Sequence, residues 1–379
     1  MKTLYLGENS ISAVPVRTFQ ACPSLQTIDL GTNEIETIDQ LAFESLSSLQ
    51  ILALDDNKIS TMSLQTLEHL TDLRSLFLQE NFLTSLPQNV FQRSINLRYL
   101  HLYGNRFRTL PATIFDPLIN LLALDLGNNF FETFDHTLLK RLNALSTLRL
   151  NGNQLVFIDV NAFQSVPQLK HLNLANNLLN FVTLGVFNPL TSLESLDLSF
   201  NNIGDFNVNI FSLNRNLTSL NLIRNRISVI EAAHFQNLEK LADLRLNYNG
   251  IESLNNETFS KNLQLELLSL SGNSINTINS IFFEKNVKMV TLYLENNAIF
   301  RIEPTFFATM PNLKVLSLKD NLCIDANFVN YNVSVIYSRF DLCFRNYDST
   351  YESTTLGAST LFISLFVQFS AVLLAFLLK

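Results

Sequence analysis

The chain has 379 residues and a formal net charge of −7, with 47% hydrophobic and 16% charged residues. The negative charge argues against a nucleic-acid partner, because binding phosphates requires a basic surface. Length alone suggests two or three ordinary domains, and the hydrophobic fraction suffices for a large core. Phenylalanine occurs 31 times and tryptophan not at all, so the aromatic content needs a structural explanation.

An asparagine recurs at a constant spacing without an insertion, and each lies in the same pattern, LxxLxLxxNxIxxIxxxxFxxL. In one repeat, for example, Leu172 and Leu174 precede Asn177, and Phe187 follows it. A fixed period of about 24 residues predicts a solenoid, in which each turn extends one continuous core, and it replaces the estimate of several domains. We predict 14 repeats over residues 1–321, with the asparagines at Asn9, Asn33, Asn57, Asn81, Asn105, Asn129, Asn153, Asn177, Asn201, Asn225, Asn249, Asn273, Asn297 and Asn321.

Each repeated position has a physical role. The LxL pair predicts a short strand whose leucines point inward, so that the residues between them line an exposed face. A buried asparagine satisfies backbone groups in the turn that follows, because its amide offers both donors and an acceptor. Ten residues later comes a phenylalanine in the first thirteen repeats, replaced there only by Leu67 and Leu139. We expect these rings to stack in the wide part of the core: Phe19, Phe43, Phe91, Phe115, Phe163, Phe187, Phe211, Phe235, Phe259, Phe283 and Phe307.

The motif resembles the typical extracellular class of leucine-rich repeats over about residues 1–325. This class includes Toll-like ectodomains, chaoptin-like adhesion proteins and insect leucine-rich immune proteins. The resemblance implies an α/β-type leucine-rich-repeat solenoid, a curved horseshoe with a parallel β-sheet on its concave face and loops or short 3-10 turns on its convex face. It also implies a non-enzymatic role in binding other molecules.

The sequence begins inside a repeat. Met1 occupies a leucine position, so Leu4 and Leu6 are expected to leave an open core edge where a solenoid normally has a cap. We therefore expect the natural chain to start upstream of Met1. Cys22 lies where other repeats carry a leucine, which predicts a small core residue and not a reactive thiol.

The repeat pattern ends at Cys323, which takes the isoleucine position after Asn321. By the resemblance, residues 322–345 form a short C-terminal cap in which a Cys323–Cys343 disulfide covers the last repeat. Caps of this family usually have four cysteines and a tryptophan, whereas this one has two cysteines and no tryptophan. Zinc is a poor alternative, because two cysteines without a nearby histidine do not make a site.

A polar linker is predicted over residues 346–360, followed by an apolar tail over residues 361–378 and a final lysine. As a helix the tail would span about 27 Å, just short of a bilayer core, and no basic cluster follows it. A GPI-attachment signal and a short transmembrane helix both remain open. We favour the GPI signal, because small and polar residues, among them Ser349 and Ser353, precede the tail. Either one places the chain on the extracellular side of the plasma membrane.

Three glycosylation sequons begin at Asn216, Asn256 and Asn332. Three sequons in a chain of this length are close to the number expected by chance. A disulfide in the cap would agree with them, however, because both belong to an oxidising compartment. We therefore expect a glycoprotein.

Motifs for catalysis or metal binding are missing from the sequence. Of the five histidines, only His101 and His171 fall on outward-facing strand positions, and they lie three repeats apart. That distance is about 14 Å by strand spacing, too far to share a metal. The chain has no phosphate-binding glycine loop, nucleophile elbow or HExxH motif. We expect no enzyme, no metal site and no cofactor.

Function is then expected at the variable positions of the exposed sheet face, which lie six, four and two residues before each repeat asparagine. Neighbouring aromatic side chains on such a face are typical of interaction hot spots, although ordinary solvated surface also includes aromatics. The acidic residues around the aromatic ones favour a basic or amphipathic protein partner. The candidate partner-binding residues are Phe77, Gln79, Tyr99, His101, Tyr103, Asp125, Arg149, Arg245 and Tyr248.

We predict a non-enzymatic cell-surface receptor or adhesion molecule that binds a protein, including a second copy of itself, through its concave face. The alternative is an innate-immune protein that binds microbial ligands or host defence proteins. The chain lacks the C-terminal heptads of immune relatives that assemble through coiled coils, which favours a tethered receptor. A cytosolic scaffold is a remote third class, because intracellular repeats usually run longer than the repeats of this chain and because of the apolar tail.

Overall fold

The computed structural model describes the backbone of residues 1–353 and the side chains of residues 1–347. Each repeat forms one turn that begins with a three-residue strand, and some turns add a two-residue strand on the flank. In chain order the strands are β1 (Thr3–Tyr5), β2 (Ala13–Val14), β3 (Thr27–Asp29), β4 (Thr37–Ile38), β5 (Ile51–Ala53), β6 (Ser75–Phe77), β7 (Tyr99–His101), β8 (Ala123–Asp125), β9 (Thr147–Arg149), β10 (His171–Asn173), β11 (Ser195–Asp197), β12 (Ser219–Asn221), β13 (Asp243–Arg245), β14 (Leu267–Ser269), β15 (Thr277–Ile278), β16 (Thr291–Tyr293), β17 (Arg301–Ile302), β18 (Val315–Ser317) and β19 (Asn327–Val329).

One long sheet runs along the solenoid. Its parallel strands pair exactly one repeat apart in the sequence, so that Leu76 of β6 lies beside Leu100 of β7. Because side chains alternate along a strand, this shared register directs the same positions of every repeat to the same face. The flank strands pair separately, β2 with β4 and β15 with β17. The architecture confirms the predicted repeat solenoid with a parallel sheet.

The repeat asparagines form the buried ladder that the sequence predicts. In a typical turn, the Nδ2 of Asn105 donates to the carbonyl oxygens of Leu78 (2.8 Å) and Leu102 (3.2 Å). Its Oδ1 accepts the backbone N–H of Leu83 at 3.0 Å. Leu78 and Leu83 belong to the preceding turn, so each such asparagine ties two turns together. Asn9 differs, because it is exposed and donates only within its own turn.

A phenylalanine column fills the convex side of the core, as predicted. Neighbouring rings such as Phe187 and Phe211 stack with their centroids 6.0 Å apart. The prediction is wrong for the repeat of Asn297, where Phe306 and not Phe307 is the fully buried ring and packs 6.3 Å from Phe283. The 3-10 helix of this turn has six residues instead of four, which shifts the ring that reaches the core.

Short helices lie at intervals along the convex side. One is α-helical, α1 (Ala232–Phe235), and Cys22 lies half-buried against the core in a turn without a helix. The cap contains α2 (Val333–Ile336) and α3 (Asp341–Ser353). The 3-10 helices span Leu64–Leu67, His136–Leu139, Ser280–Phe283, Pro304–Thr309 and Tyr337–Phe340.

A cap covers the C-terminal turn. Strand β19 pairs antiparallel with β18, which closes the edge that the sheet would otherwise leave unpaired. The predicted disulfide between Cys323 and Cys343 is present, with the two Cα atoms 5.1 Å apart. It closes the cap over aromatic rings, among which Phe340 is fully buried and packs edge-on against Phe307 at 4.9 Å.

The helix α3 continues beyond residue 345, where the sequence suggests a boundary between cap and polar linker. Asn346, in this continuation, donates to the carbonyl oxygen of Phe300 at 2.7 Å and so joins the helix to the last turns. The remainder of the predicted linker and the apolar tail, 361–378, lie outside the described residues. Within residues 1–353, no helix is both long enough and apolar enough to cross a membrane.

Candidate functional site: the concave face

The common register builds the concave face from three positions of every turn. In the turn that begins with β7, Tyr99, His101 and Tyr103 point outward, while Leu100 and Leu102 are fully buried. Each turn therefore presents three freely variable side chains on a backbone held by its neighbours. Such a rigid surface suits recognition, because the backbone that carries these side chains loses little entropy on binding.

Four of the predicted residues form one aromatic patch, which consists of Phe77, Tyr99, His101 and Tyr103. The rings of Phe77 and His101 stack across β6 and β7 with their centroids 4.9 Å apart. Tyr99 remains exposed, whereas the hydroxyl of Tyr103 accepts a hydrogen bond from Nδ2 of Asn128 at 2.5 Å. The structure thus brings these rings together across two neighbouring turns.

Burial keeps the imidazole of this patch neutral. Removal from water lowers the pKa of His101, and the nearby Arg149 acts in the same direction. The negative charge of Asp125 opposes this shift without reversing it. Burial also raises the pKa of Asp55, two turns away. At neutral pH the imidazole of His101 is therefore uncharged.

The other candidates near the patch have different environments. Asp125 is 9% exposed, and its Oδ1 accepts the backbone N–H of Gly127 at 3.0 Å. Its second oxygen lies 3.8 Å from a guanidinium nitrogen of Arg149, which projects into solvent. The Oε1 of Gln79 is buried without a hydrogen-bond partner. Arg149 is therefore available to a ligand, whereas Asp125 mainly shapes its own turn.

The role of Asp125 recurs along the sheet. In other turns the residue at the same position also accepts the backbone N–H two residues ahead, at 2.9–3.1 Å, as Asp29, Asn173, Asp197 and Asn221 do. This is an Asx turn, which fixes the backbone where the strand ends. This turn was predictable from the sequence, because all four residues are Asp or Asn at the same repeat position, four residues before the repeat asparagine.

Farther along the sheet, Arg245 and Asp243 form a two-point ion pair on one strand. Nε and Nη2 of Arg245 donate to the two carboxylate oxygens at 3.0 and 2.9 Å. These hydrogen bonds raise the pKa of Arg245. The pair is exposed, so its contribution to stability is small. It presents a planar guanidinium edge at a defined place on the concave face.

Tyr248 occupies a different kind of position, immediately before a repeat asparagine. In all fourteen repeats this residue has a positive φ between 47° and 67°. Here the guanidinium of Arg224 lies between two rings, 5.4 Å from the ring centre of Phe200 and 4.8 Å from that of Tyr248. We call these three residues the aromatic–arginine sandwich.

The aromatic–arginine sandwich carries backbone strain. A side chain other than glycine costs about 1–2 kcal/mol at positive φ, because Cβ approaches the following carbonyl oxygen. Other turns mostly place Gly, Asn or Asp there. Three bulky residues in consecutive turns therefore suggest a role other than folding. Sequence reasoning missed Phe200, although its place before the repeat asparagine was visible.

The three sequons lie away from the concave strands. Asn216 is half-buried, donates to the carbonyl oxygen of Thr191 at 2.9 Å and accepts a hydrogen bond from Lys240 at 2.8 Å. Asn256 is exposed on the convex side, and Asn332 is exposed at the start of α2. Glycans on these residues would leave the aromatic patch uncovered. Among residues 1–353, no group of three His, Cys, Asp or Glu side chains is placed to hold a metal.

These features define a curved solenoid with a parallel concave sheet and variable side chains on that sheet. The family model described as leucine-rich repeat matches the chain in overlapping segments that run from residues 1–59 to residues 287–327. The chain therefore belongs to the leucine-rich-repeat family, whose members typically bind proteins and lack enzymatic activity. A search of curated proteins found no match.

Solved structures share this fold. The chain is similar to a leucine-rich-repeat protein of Leptospira interrogans, with 25% identity and a TM-score of 0.65 over 84% of this chain and 90% of that one. It is also similar to Toll in the Drosophila Toll–Spatzle complex, with 24% identity and a TM-score of 0.69 over 85% of this chain but only 47% of Toll. The APL1 leucine-rich-repeat domain is 21% identical, with a TM-score of 0.69 over 85% and 80% of the two chains. At such low sequence identity, the likeness to Toll and APL1 concerns the fold alone.

Proposed function

We propose that the chain is a non-enzymatic receptor or adhesion molecule of the cell surface that binds a protein partner through its concave face. The aromatic patch is the observation that carries this proposal. Its rings are preassembled on a rigid sheet, and Tyr99 is 42% exposed. Clustered aromatic side chains of this kind contribute most of the free energy of binding at protein interfaces.

The size of the face supports a protein and not a small molecule as the partner. Fourteen strands at about 4.8 Å spacing give a concave face about 65 Å long. The aromatic patch and the aromatic–arginine sandwich lie several turns apart on it, so a single ligand that contacts both must be extended. Acidic residues such as Asp29 and Asp55 beside the aromatic patch favour a basic or amphipathic partner.

We also propose that the chain acts outside the cell, held by its C-terminal tail. The cap disulfide supports this location, since disulfides persist in oxidising compartments. Asn256 and Asn332 are exposed, as acceptor residues for glycans must be. A GPI anchor predicts that a phosphatidylinositol-specific phospholipase releases the protein from intact cells. Retention of the protein after this treatment would support the short transmembrane helix instead.

The concave face is tested with the double variant Phe77→Ala/Tyr103→Ala. The full chain is displayed on cells and probed with an array of secreted and cell-surface ectodomains. We expect binding of a partner to drop at least about tenfold in the double variant. The matched control is Phe82→Ala, which removes a ring that is 41% exposed on the flank of the same region.

The outcome also distinguishes two roles. Aggregation of cells that all display the chain would indicate homophilic adhesion, whereas binding of microbial envelope components or host defence proteins would indicate an immune role. If every partner found binds the double variant as tightly as the unaltered chain, the aromatic patch is not the binding site.

A further inference from the structure

A second surface lies on the flank of the solenoid, away from the concave face. In the repeats of Asn153 and Asn177, outward-facing positions carry large apolar side chains whose exposed fractions range from 40% to 54%. Isolated exposed apolar residues are ordinary, but a group of them on adjacent turns is not. We call the group the flank patch, and it consists of Val156, Phe157, Val160, Leu178, Phe181 and Leu184.

Hydrogen bonds between the two turns hold the flank patch together. The backbone N–H of Leu178 donates to the carbonyl oxygen of Leu155 at 2.9 Å. Farther along the same turns, the hydroxyl of Thr183 donates to the carbonyl oxygen of Ile158 at 3.2 Å. Phe157 and Phe181 stand at the same repeat position, as do Val160 and Leu184. The apolar side chains therefore form one surface on a fixed backbone.

The flank patch lies in a part of the chain that is almost free of charge. Among residues 154–193 the charged residues are Asp159, which is exposed beside Val160, and Lys170, whose ammonium pairs with Glu194 at 2.8 Å. The equivalent surfaces on both sides are more polar. On one side Arg108 and Glu132 form an ion pair at 3.3 Å, and the guanidinium of Arg108 also lies 5.7 Å from the ring centre of the exposed Phe130.

On the other side, the position of Phe157 and Phe181 is taken by Asp205, whose carboxylate accepts hydrogen bonds from Ser228 and Val229 at 2.7–2.9 Å. The flank patch is thus an apolar area within a polar rim, the arrangement typical of a protein interface. No sequon falls between residues 130 and 200, so N-linked glycans are not attached to it.

We propose that the flank patch is the interface with a second copy of this chain, in a symmetric side-by-side dimer. Each chain has a net charge of −7, so two copies repel one another over most of their surfaces. A surface with few charges is the one on which they can approach most closely. In a two-fold dimer the same patch meets itself, and a largely apolar patch is complementary to itself, whereas a highly charged one is not.

The area of the flank patch is consistent with a second copy of the chain as its partner. From their exposed fractions, the six side chains present about 500 Å² of mostly apolar surface, against about 800 Å² that each partner buries in a stable interface. The patch would form the centre of such an interface, and the polar rim would complete it. Because it lies on the flank, dimerisation leaves the concave face open, so the proposal is independent of the ligand.

The test uses two differently tagged copies of the full chain expressed in the same cells. Capture of one tag is expected to recover the other copy, and Phe181→Asp/Leu184→Asp in both copies is expected to reduce that recovery at least about tenfold. The matched control is Ile119→Asp, an apolar residue that is 52% exposed and lies outside the flank patch. It should leave recovery unchanged.

Thermal unfolding of each variant shows whether it folds. If the double variant does not fold, Phe157→Asp on the neighbouring turn replaces it. The proposal is overturned if unaltered copies do not recover one another. It is also overturned if a folded flank-patch variant is recovered as well as the control, since association would then depend on the tail or another surface.

Discussion

The asparagine ladder makes a quantitative prediction for Asn105→Ala, a substitution in the turn that carries the aromatic patch. The backbone N–H of Leu83 has the Oδ1 of Asn105 as its acceptor, and Leu83 is fully buried. The substitution leaves this N–H without a partner. The carbonyl oxygens of Leu78 and Leu102 also lose a donor, but each keeps a hydrogen bond from another repeat asparagine, Asn81 and Asn129 respectively.

The expected loss of stability follows from this difference. A buried N–H without a partner costs about 1–3 kcal/mol, and each carbonyl that keeps one donor loses about 0.5–1 kcal/mol. Asn105→Ala should therefore lower the free energy of unfolding by about 3 kcal/mol. The matched control is Asn9→Ala, since Asn9 is exposed and binds only within its own turn. Its loss should stay below about 1 kcal/mol.

Two measurements check this prediction. Urea unfolding gives the overall loss, and hydrogen exchange of the Leu83 amide reports the local effect, because this N–H loses its acceptor. A solenoid unfolds in parts, so the local measurement is the sharper one. Equal shifts for Asn105→Ala and Asn9→Ala, or unchanged protection of the Leu83 amide, would show that the asparagine ladder does not hold neighbouring turns together.

Three further predictions concern the cap disulfide, the backbone strain at Phe200 and the pKa of His101 in the aromatic patch. Cys343→Ser should destabilise the cap by about 3 kcal/mol and increase hydrogen exchange in β18 and β19, whereas Cys22→Ser should leave that exchange unchanged. Phe200→Gly should leave the free energy of unfolding unchanged or raise it by up to about 1 kcal/mol, because glycine relieves the strain at positive φ. A decrease in the free energy of unfolding of more than about 1 kcal/mol would contradict the backbone strain. Burial lowers the pKa of His101, so the folded state favours the neutral ring. The free energy of unfolding should therefore fall as the pH drops below 6.5. The variant His101→Gln should lack this part of the pH dependence. If the unfolding midpoint of His101→Gln changes with pH as steeply as that of the unaltered chain, the result would count against the burial of this ring.

The sequence alone was sufficient for the architecture. The fixed period, the repeat asparagines and the phenylalanine column each follow from the needs of a single turn, and every turn has the same needs. A buried turn requires an amide that both donates and accepts, and only asparagine at that position supplies it with this geometry. For the same reason the exposed positions that carry Phe77 and Tyr103 were recognisable without coordinates.

Only the tertiary structure decided how side chains from different turns meet. It stacked the ring of His101 on that of Phe77, placed the guanidinium of Arg224 between two rings, and buried Phe306 instead of Phe307 in the turn of Asn297. Each of these outcomes depends on contacts between residues about one repeat or more apart, or on the local length of a convex helix. A repeating pattern specifies what is common to all turns, whereas side-chain packing between particular turns depends on where they deviate from it.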